Sequence, residues 1–168
     1  MDKIRLTKVR TNSLCNAATL KQEPIKTKTM KTQPFHLAIP VKNLEKCRSF
    51  YRDVLHCKEG RSTAQWVDFN FFGHQLVIHQ KEDFNPQRIS NPVDGHEVPV
   101  PHFGVVLTWE DWHALADQLK KNHTDFIIEP TIRFKGKVGE QATLFFNDPE
   151  NNALEFKAFK DMSQLFAK

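Results

Sequence analysis

Alternation of apolar and polar positions begins near residue 34 and continues to about residue 158. The period-two stretches predict two sets of four strands, at about 34–41, 57–62, 65–72 and 74–80, and then at about 101–107, 125–134, 140–147 and 152–158. A period near 3.6 after Asn43, and again over 109–122, predicts a helix behind the first strand of each set. Each half therefore reads strand, helix and three strands.

A single βαβββ half cannot cover its own sheet, so two halves are expected to join. The predicted class is α+β, with paired modules at 33–82 and 99–160 forming a curved, cup-shaped mixed sheet with helices outside. The turn-forming residues of 83–98 predict a linking loop. Residues 161–168 are expected to form a C-terminal helix or tail beyond the 33–160 domain.

The first strand of each half opens with histidine, as His36 in HLAIPV and His102 in HFGVVL. Strand alternation places both side chains on the face opposite the helices, and it places Glu155 of the last strand there too. Two histidines and one carboxylate are the ligand set of the facial triad, which holds a divalent metal and leaves coordination positions open. His36, His102 and Glu155 are therefore the candidate metal ligands.

Composition fits a soluble globular protein, because 39% of the 168 residues are hydrophobic and 26% are charged. The three cysteines, Cys15, Cys47 and Cys57, are odd in number and lack the spacing of a disulfide framework or a zinc site. Reduced thiols in a reducing compartment are expected, which favours a cytoplasmic location.

The net charge of +4 is unevenly distributed along the chain. Residues 1–32 carry eight Lys or Arg against two acidic residues, while the remainder carries 16 basic and 18 acidic residues. No basic stripe follows on the folded part, so a nucleic-acid partner is not expected. Residues 1–32 are expected to be a disordered basic tail, with a mitochondrial or plastid transit peptide, or a functional start at Met30, as alternatives. No apolar run is long enough to span a membrane.

The strand His36–Val41, the helix pattern around Ser49-Phe50-Tyr51-Arg52-Asp53-Val54-Leu55 and the turn Asp148-Pro149-Glu150-Asn151-Asn152 leading to Glu155 resemble the vicinal-oxygen-chelate superfamily. This superfamily includes glyoxalase I, extradiol dioxygenases, methylmalonyl-CoA epimerase and antibiotic-resistance proteins. The resemblance runs from Pro34 to about Phe159.

The resemblance implies metal ligands on the first and last strands of each half. They correspond to His36, His102 and Glu155, with Val77 standing where glyoxalase I usually has a fourth ligand. Three ligands in this order resemble the extradiol dioxygenases, which implies Fe(II) or Mn(II), with Zn(II) or Ni(II) as alternatives, and O₂ as a co-substrate. A homodimer is compatible with this resemblance.

His79 lies two residues beyond Val77 on the same face, and in extradiol enzymes a histidine in this part of the sheet acts as acid and base. Arg133 is a candidate for bidentate binding of an anionic substrate, the alternative being a charge at the rim. Gln75 is the second candidate substrate-binding residue. Phe145 stands about where extradiol enzymes commonly have tyrosine, which leaves the reaction open.

Three functions fit these features. The first is a dioxygenase-like metalloenzyme that acts on vicinal oxygens of a small substrate. The second is a metal-dependent isomerase, epimerase or lyase of the glyoxalase type. The third is a small-molecule-binding protein without turnover.

Overall fold

The chain has the predicted α+β architecture in a computed structural model that describes residues 32–86, 89–93 and 95–167. Its elements are β1 (His36–Val41), α1 (Leu44–Ser49), β2 (Lys58–Ser62), β3 (Trp66–Phe71), β4 (His74–Gln80), β5 (Ile89–Val93), β6 (His96–Val100), β7 (His102–Phe103), β8 (Val106–Leu107), α2 (Trp109–Lys121), β9 (Phe126–Arg133), β10 (Gln141–Asn147) and β11 (Ala153–Phe159). Helix α1 continues as a wider π-helical turn over Phe50–Val54, and a short 3₁₀ helix covers Met162–Phe166.

The predictions for the basic tail and for a start at Met30 fall on residues 1–31, which lie outside the described residues. The part of the chain from Gln33 onward forms one compact unit. None of the helices in the described residues is long and apolar enough to cross a membrane.

The first module is a four-stranded sheet in the order β1-β4-β3-β2. Strand β1 runs parallel to β4, so the chain must cross over between them, and α1 begins that crossover. Asn43 caps α1 by accepting a hydrogen bond from the backbone N–H of Lys46, which satisfies a donor that the helix itself cannot pair. Gly73, at φ 89°, makes the tight β3–β4 turn.

The second module repeats this order with β7 and β8, β11, β10 and β9. The predicted strand 101–107 is broken into β7 and β8 at Gly104 and Val105. Gly104 lies flat against β11, where an added side-chain carbon would overlap the carbonyl oxygen of Glu155. The absence of a side chain at Gly104 thus permits a close approach of two backbones next to a predicted metal ligand.

The predicted loop 83–98 contains a β-hairpin, which corrects the sequence interpretation. Strands β5 and β6 pair in antiparallel register from Ile89 opposite Val100 to Val93 opposite His96. Pro92 of β5, Pro99 of β6 and a high polar content hid the alternation, because proline is normally depleted in strands. A two-stranded hairpin tolerates such residues since each strand has a free edge.

The joining of the modules also differs from the expectation. Among the described residues, no hydrogen-bonded strand pair connects the two sheets, so they do not form one continuous sheet within the chain. The helix-facing sides of both sheets and both helices instead share a single apolar core. Phe50, for example, contacts Phe146 of the second module, with ring centroids 6.2 Å apart. The π-helical turn that continues α1 thus contacts the second module.

Burial of the helix-facing sides leaves the opposite face of the first sheet turned away from the core. His36, Ala38 and His79 on that face are exposed in the single chain. The corresponding face of the second sheet is covered by residues of the β5–β6 hairpin. The two faces that carry the predicted metal ligands thus have different surroundings within one chain.

Candidate metal centre

His102 and Glu155 are brought together by the parallel pairing of β7 with β11. His102 lies beside Ala153, and Glu155 follows two residues later on the same side of β11. The His102 Nε2 atom lies 3.2 Å from Oε2 of Glu155. Two of the three predicted metal ligands are therefore in contact within one chain.

The His102 ring is oriented by the backbone. Its Nδ1 atom lies 2.6 Å from the carbonyl oxygen of Pro99, which can only accept a hydrogen bond. Nδ1 must therefore carry a proton, and in the neutral ring Nε2 presents a lone pair toward Glu155. Two acceptors that face each other at this distance need a cation between them, either a proton or a metal ion. This donor set fits a divalent metal.

Glu155 is held by its other carboxylate oxygen. The Thr143 hydroxyl donates a hydrogen bond of 2.8 Å to Oε1, and the Lys157 ammonium group lies 3.2 Å from the same atom. These contacts leave Oε2 directed at His102. Metal-binding carboxylates and histidines are commonly fixed by outer hydrogen bonds in this way, which favours a preformed half of a metal site.

His36 has the same ring orientation in the first module. Its Nδ1 atom lies 2.8 Å from Oε1 of Gln75, so a proton on Nδ1 leaves Nε2 available as a ligand. Gln75, predicted as a substrate-binding residue, therefore contacts a predicted ligand. Within the described residues, however, no three His, Cys, Asp or Glu side chains lie close enough together to hold a metal. One chain thus unites His102 with Glu155 but does not bring His36 to them.

A cavity of about 200 Å³ lies in front of the His102–Glu155 pair, between the second sheet and the β5–β6 hairpin. Arg133 of β9 and Lys157 of β11 line it, together with His96 and Val98 of β6. Arg133, predicted from the sequence as a substrate-binding residue, is therefore placed in the same cavity as two predicted ligands. Lys157 was not selected from the sequence, although its place on the inward face of the last strand was evident from alternation.

The first sheet differs from the second at two matching positions. Val77 of β4 pairs with Ala38, two residues after His36 on β1. In the second module, Glu155 lies beside Gly104, two residues after His102. Val77 therefore occupies the place of Glu155 and supplies no ligand. Asp68 on β3 is directly opposite Val77, whereas Phe145 on β10 is opposite Glu155. Asp68 is buried and lies 3.4 Å from the exposed Arg61. Alternation along Trp66–Phe71 could have placed this carboxylate on the same face as His36, but the sequence interpretation missed it.

His79, the predicted acid and base, lies on the exposed face of the first sheet. Its backbone neighbours are Pro40 on β1 and Trp66 on β3, and the ring centroids of His79 and Trp66 are 6.5 Å apart. His79 is separate from the cavity of the second module, so its catalytic role stays a prediction.

A buried polar cluster fixes the turn that leads into β11. Asp148 accepts a hydrogen bond of 3.0 Å from the Tyr51 hydroxyl and one of 2.8 Å from the Asn152 side chain. The Asn152 amide also donates to the carbonyl of Pro40, which links the turn to β1. Burial raises the pKa of Asp148, and its hydrogen bonds partly oppose that rise. The cluster ties the first module to the strand that carries Glu155.

The chain resembles known proteins over most of its length. A family model described as the glyoxalase/bleomycin resistance protein/dioxygenase superfamily matches residues 33–156. A glyoxalase domain-containing protein of Mycosarcoma maydis, RDO1, is 26% identical over 133 residues, which cover 75% of this chain and 68% of that protein.

Solved structures share the fold. A glyoxalase/bleomycin resistance protein/dioxygenase from Alicyclobacillus acidocaldarius is 31% identical, with a TM-score of 0.67 over 80% of this chain and 96% of that chain. The fosfomycin resistance protein FosX from Listeria monocytogenes is 17% identical, with a TM-score of 0.58 over 81% of this chain and 100% of that chain. The chain belongs to the glyoxalase/bleomycin resistance protein/dioxygenase superfamily.

Proposed function

We propose that this protein is a metal-dependent enzyme that binds a small substrate through neighbouring oxygen atoms. The observation that supports this most strongly is the His102–Glu155 pair, in which two oriented acceptors face each other at 3.2 Å. Members of the superfamily typically use divalent metals, in agreement with this donor set. A divalent ion at this place would supply Lewis acidity and open positions for two substrate oxygens.

The third ligand, His36, would come from a second copy of the chain. Strands β1 and β7 each lie at the edge of their sheet among the described residues, and one carries His36 while the other carries His102. Edge strands of this kind are available for pairing with another chain. A two-fold axis that placed β1 of one copy beside β7 of the other would create two equivalent sites. Each site would combine His36 of one copy with His102 and Glu155 of the other.

The remaining predicted residues fit the same arrangement. Gln75 would keep the His36 ring in place through its 2.8 Å contact with Nδ1. Arg133 lines the cavity and would bind the substrate directly. His79, on the same face of the first sheet as His36, would be presented to the partner's cavity and would move a proton to or from the substrate.

The same ligand set serves two classes of reaction. One carboxylate and two histidines suit Fe(II) and Mn(II), and they also suit Zn(II) or Ni(II). A dioxygenase-like reaction requires a redox-active metal and consumes O₂, whereas an isomerase, epimerase or lyase does not. Oxygen uptake by the Fe(II)-loaded protein in the presence of candidate diol substrates separates these two classes.

Metal analysis of protein purified without an immobilised-metal column tests the proposal. The wild type is expected to bind about one divalent ion per chain, and His102→Ala or Glu155→Ala should lose it. His113→Ala is a suitable control because His113 is exposed on α2, away from the site. Full metal occupancy in Glu155→Ala would refute the assignment.

A further inference from the structure

Two basic side chains line the cavity in front of the candidate metal ligands. Lys157 lies on the same strand and face as Glu155, and Arg133 lies on β9, across β10 from β11. The cavity also contains His96, which is contributed by the β5–β6 hairpin. Glu155 is the one carboxylate among the residues that line this cavity in the described part of the chain. The described lining therefore combines two basic side chains with one carboxylate.

Lys157 can bind a further group while it holds Glu155. Its ammonium group has three N–H donors, and the 3.2 Å contact with Oε1 of Glu155 requires one of them. The Lys157 side chain is about one-third exposed, at 34%, so its other donors can reach the cavity. Arg133 is half-buried, and its guanidinium group lies 5.1 Å from the centre of the Phe134 ring. A planar guanidinium and a compact ammonium suit the same oxyanion from two sides.

The cavity within one chain is small. About 200 Å³ is below the range of about 300–1,000 Å³ that is usual for drug-sized ligands. Its walls are apolar at Ile128 and Phe145 and carry hydroxyl groups at Thr131 and Thr143. Lys157 and Arg133 supply its ammonium and guanidinium groups, so an acidic group of a ligand is expected beside them.

We infer that the substrate is a small oxyanion whose acidic group binds between Lys157 and Arg133. Its neighbouring oxygen atoms would then face His102 and Glu155. The acidic group is a carboxylate or a phosphonate, since both offer the oxygens that these two cations recognise. This inference rests on the proposed function, because it assigns the substrate class of the same site.

Binding of small matched ligands to the full chain tests this inference. Glycolate, hydroxymethylphosphonate and the uncharged analogue glycolamide are titrated by calorimetry into metal-loaded and metal-free protein. The variants are Arg133→Met and Lys157→Met, with Arg133→Gln and Lys157→Gln as alternatives if a methionine variant does not fold. Lys137→Met is the control, since Lys137 is an exposed cation in the loop after β9.

The wild type should bind at least one of the two anions about tenfold or more tightly than glycolamide, as expected for hydrogen bonds to charged groups. At equal metal content, loss of either cation should reduce this preference by a similar factor. Lys137→Met should retain the wild-type preference. Comparison of the variants at equal metal occupancy matters because the metal itself favours anions. The stronger of the two anions identifies the acidic group.

Two results would overturn the inference. The first is a preference for the anions over glycolamide that survives in both the Arg133 and the Lys157 variants. The second is an equal loss of this preference in Lys137→Met. Failure of the proposed function gives a different pattern. A wild type that binds no metal, yet loses its anion preference in the Arg133 variant, would refute the metal site and support the anion site. A wild type that binds metal without any difference between variants would support the metal site alone.

Discussion

Pairing of two differently mutated chains gives the most demanding test of the shared metal site. His36→Ala removes the ligand of the first module, and His102→Ala removes one ligand of the second. If each site uses His36 of one copy and His102 of the other, neither variant alone retains a complete site. In a mixed dimer, however, both mutations fall in the same site, so the other site keeps all three ligands.

The expected magnitude follows from the two-fold symmetry of the proposed dimer. A mixed dimer should have one intact site out of two, so it should bind about half the metal of the wild-type dimer. Each homodimer should bind little, because its sites retain two ligands. A mixed dimer of His102→Ala with Glu155→Ala is a matched control. Those mutations belong to the same half-site and would damage both sites, so no metal should return.

Co-expression of the two chains with different affinity tags isolates the mixed dimer, and elemental analysis measures its metal content. Sedimentation of the untagged wild type establishes independently whether the chain is a dimer. A His36→Ala and His102→Ala mixture with no recovered metal would refute the shared arrangement, and so would a monomeric wild type with one metal per chain. Either result would leave His102 and Glu155 of one chain as the candidate ligands, without His36 of a partner.

Four further measurements test individual contacts. Gly104→Ala should lower the free energy of unfolding by about 3 kcal/mol, measured by urea denaturation, since the methyl group would overlap the Glu155 carbonyl; an unchanged value would contradict the close approach. Thr143→Val should weaken metal binding about tenfold, whereas Thr131→Val, its neighbour on β9, should not. His79→Gln should keep the metal and lose a factor of about 10²–10⁴ in turnover; loss of the metal would make His79 a ligand. Tyr51→Phe should cost about 1.5–3 kcal/mol at pH 7, because its hydroxyl lowers the otherwise raised pKa of Asp148. That hydrogen bond stabilises the charged carboxylate, so the loss should shrink as the pH falls and Asp148 is protonated; an equal loss at pH 4 and pH 7 would contradict this.

The sequence predicted the strands well because both sheets bury one face. Alternation located β4 at its observed boundaries, His74–Gln80, and came within two residues of the boundaries of β1 and β9. The break at Gly104 and the β5–β6 hairpin were not predicted. The break at Gly104 depends on a close approach to the distant Glu155, which leaves no periodic signal in the local sequence, whereas prolines and polar residues hid the hairpin. The contact of Phe50 with Phe146 was not predicted either, since it depends on how the two modules meet.

The candidate site was predicted in part. His102 and Glu155 were identified from their residue types and strand positions, and the structure places them in contact. The outer hydrogen bonds from Thr143 and to Pro99 could not be predicted, because they require the register of β10 against β11 and the path of the chain before β7. The position of His36 relative to the other two ligands was also beyond the sequence. Alternation assigns a side chain to a face, but it does not say which other face will lie opposite.

A difference between the two modules explains why one face resembles a metal site and the other does not. Both retain a histidine at the start of the first strand, with its Nδ1 atom held by a neighbouring carbonyl group, from Gln75 in one case and Pro99 in the other. The second module keeps Glu155, whereas Val77 takes that place in the first. A chain with two complete half-sites would place four ligands around each shared metal. In the proposed site this chain would supply three, and Val77 in the fourth place would leave more of the metal's coordination sphere to the substrate.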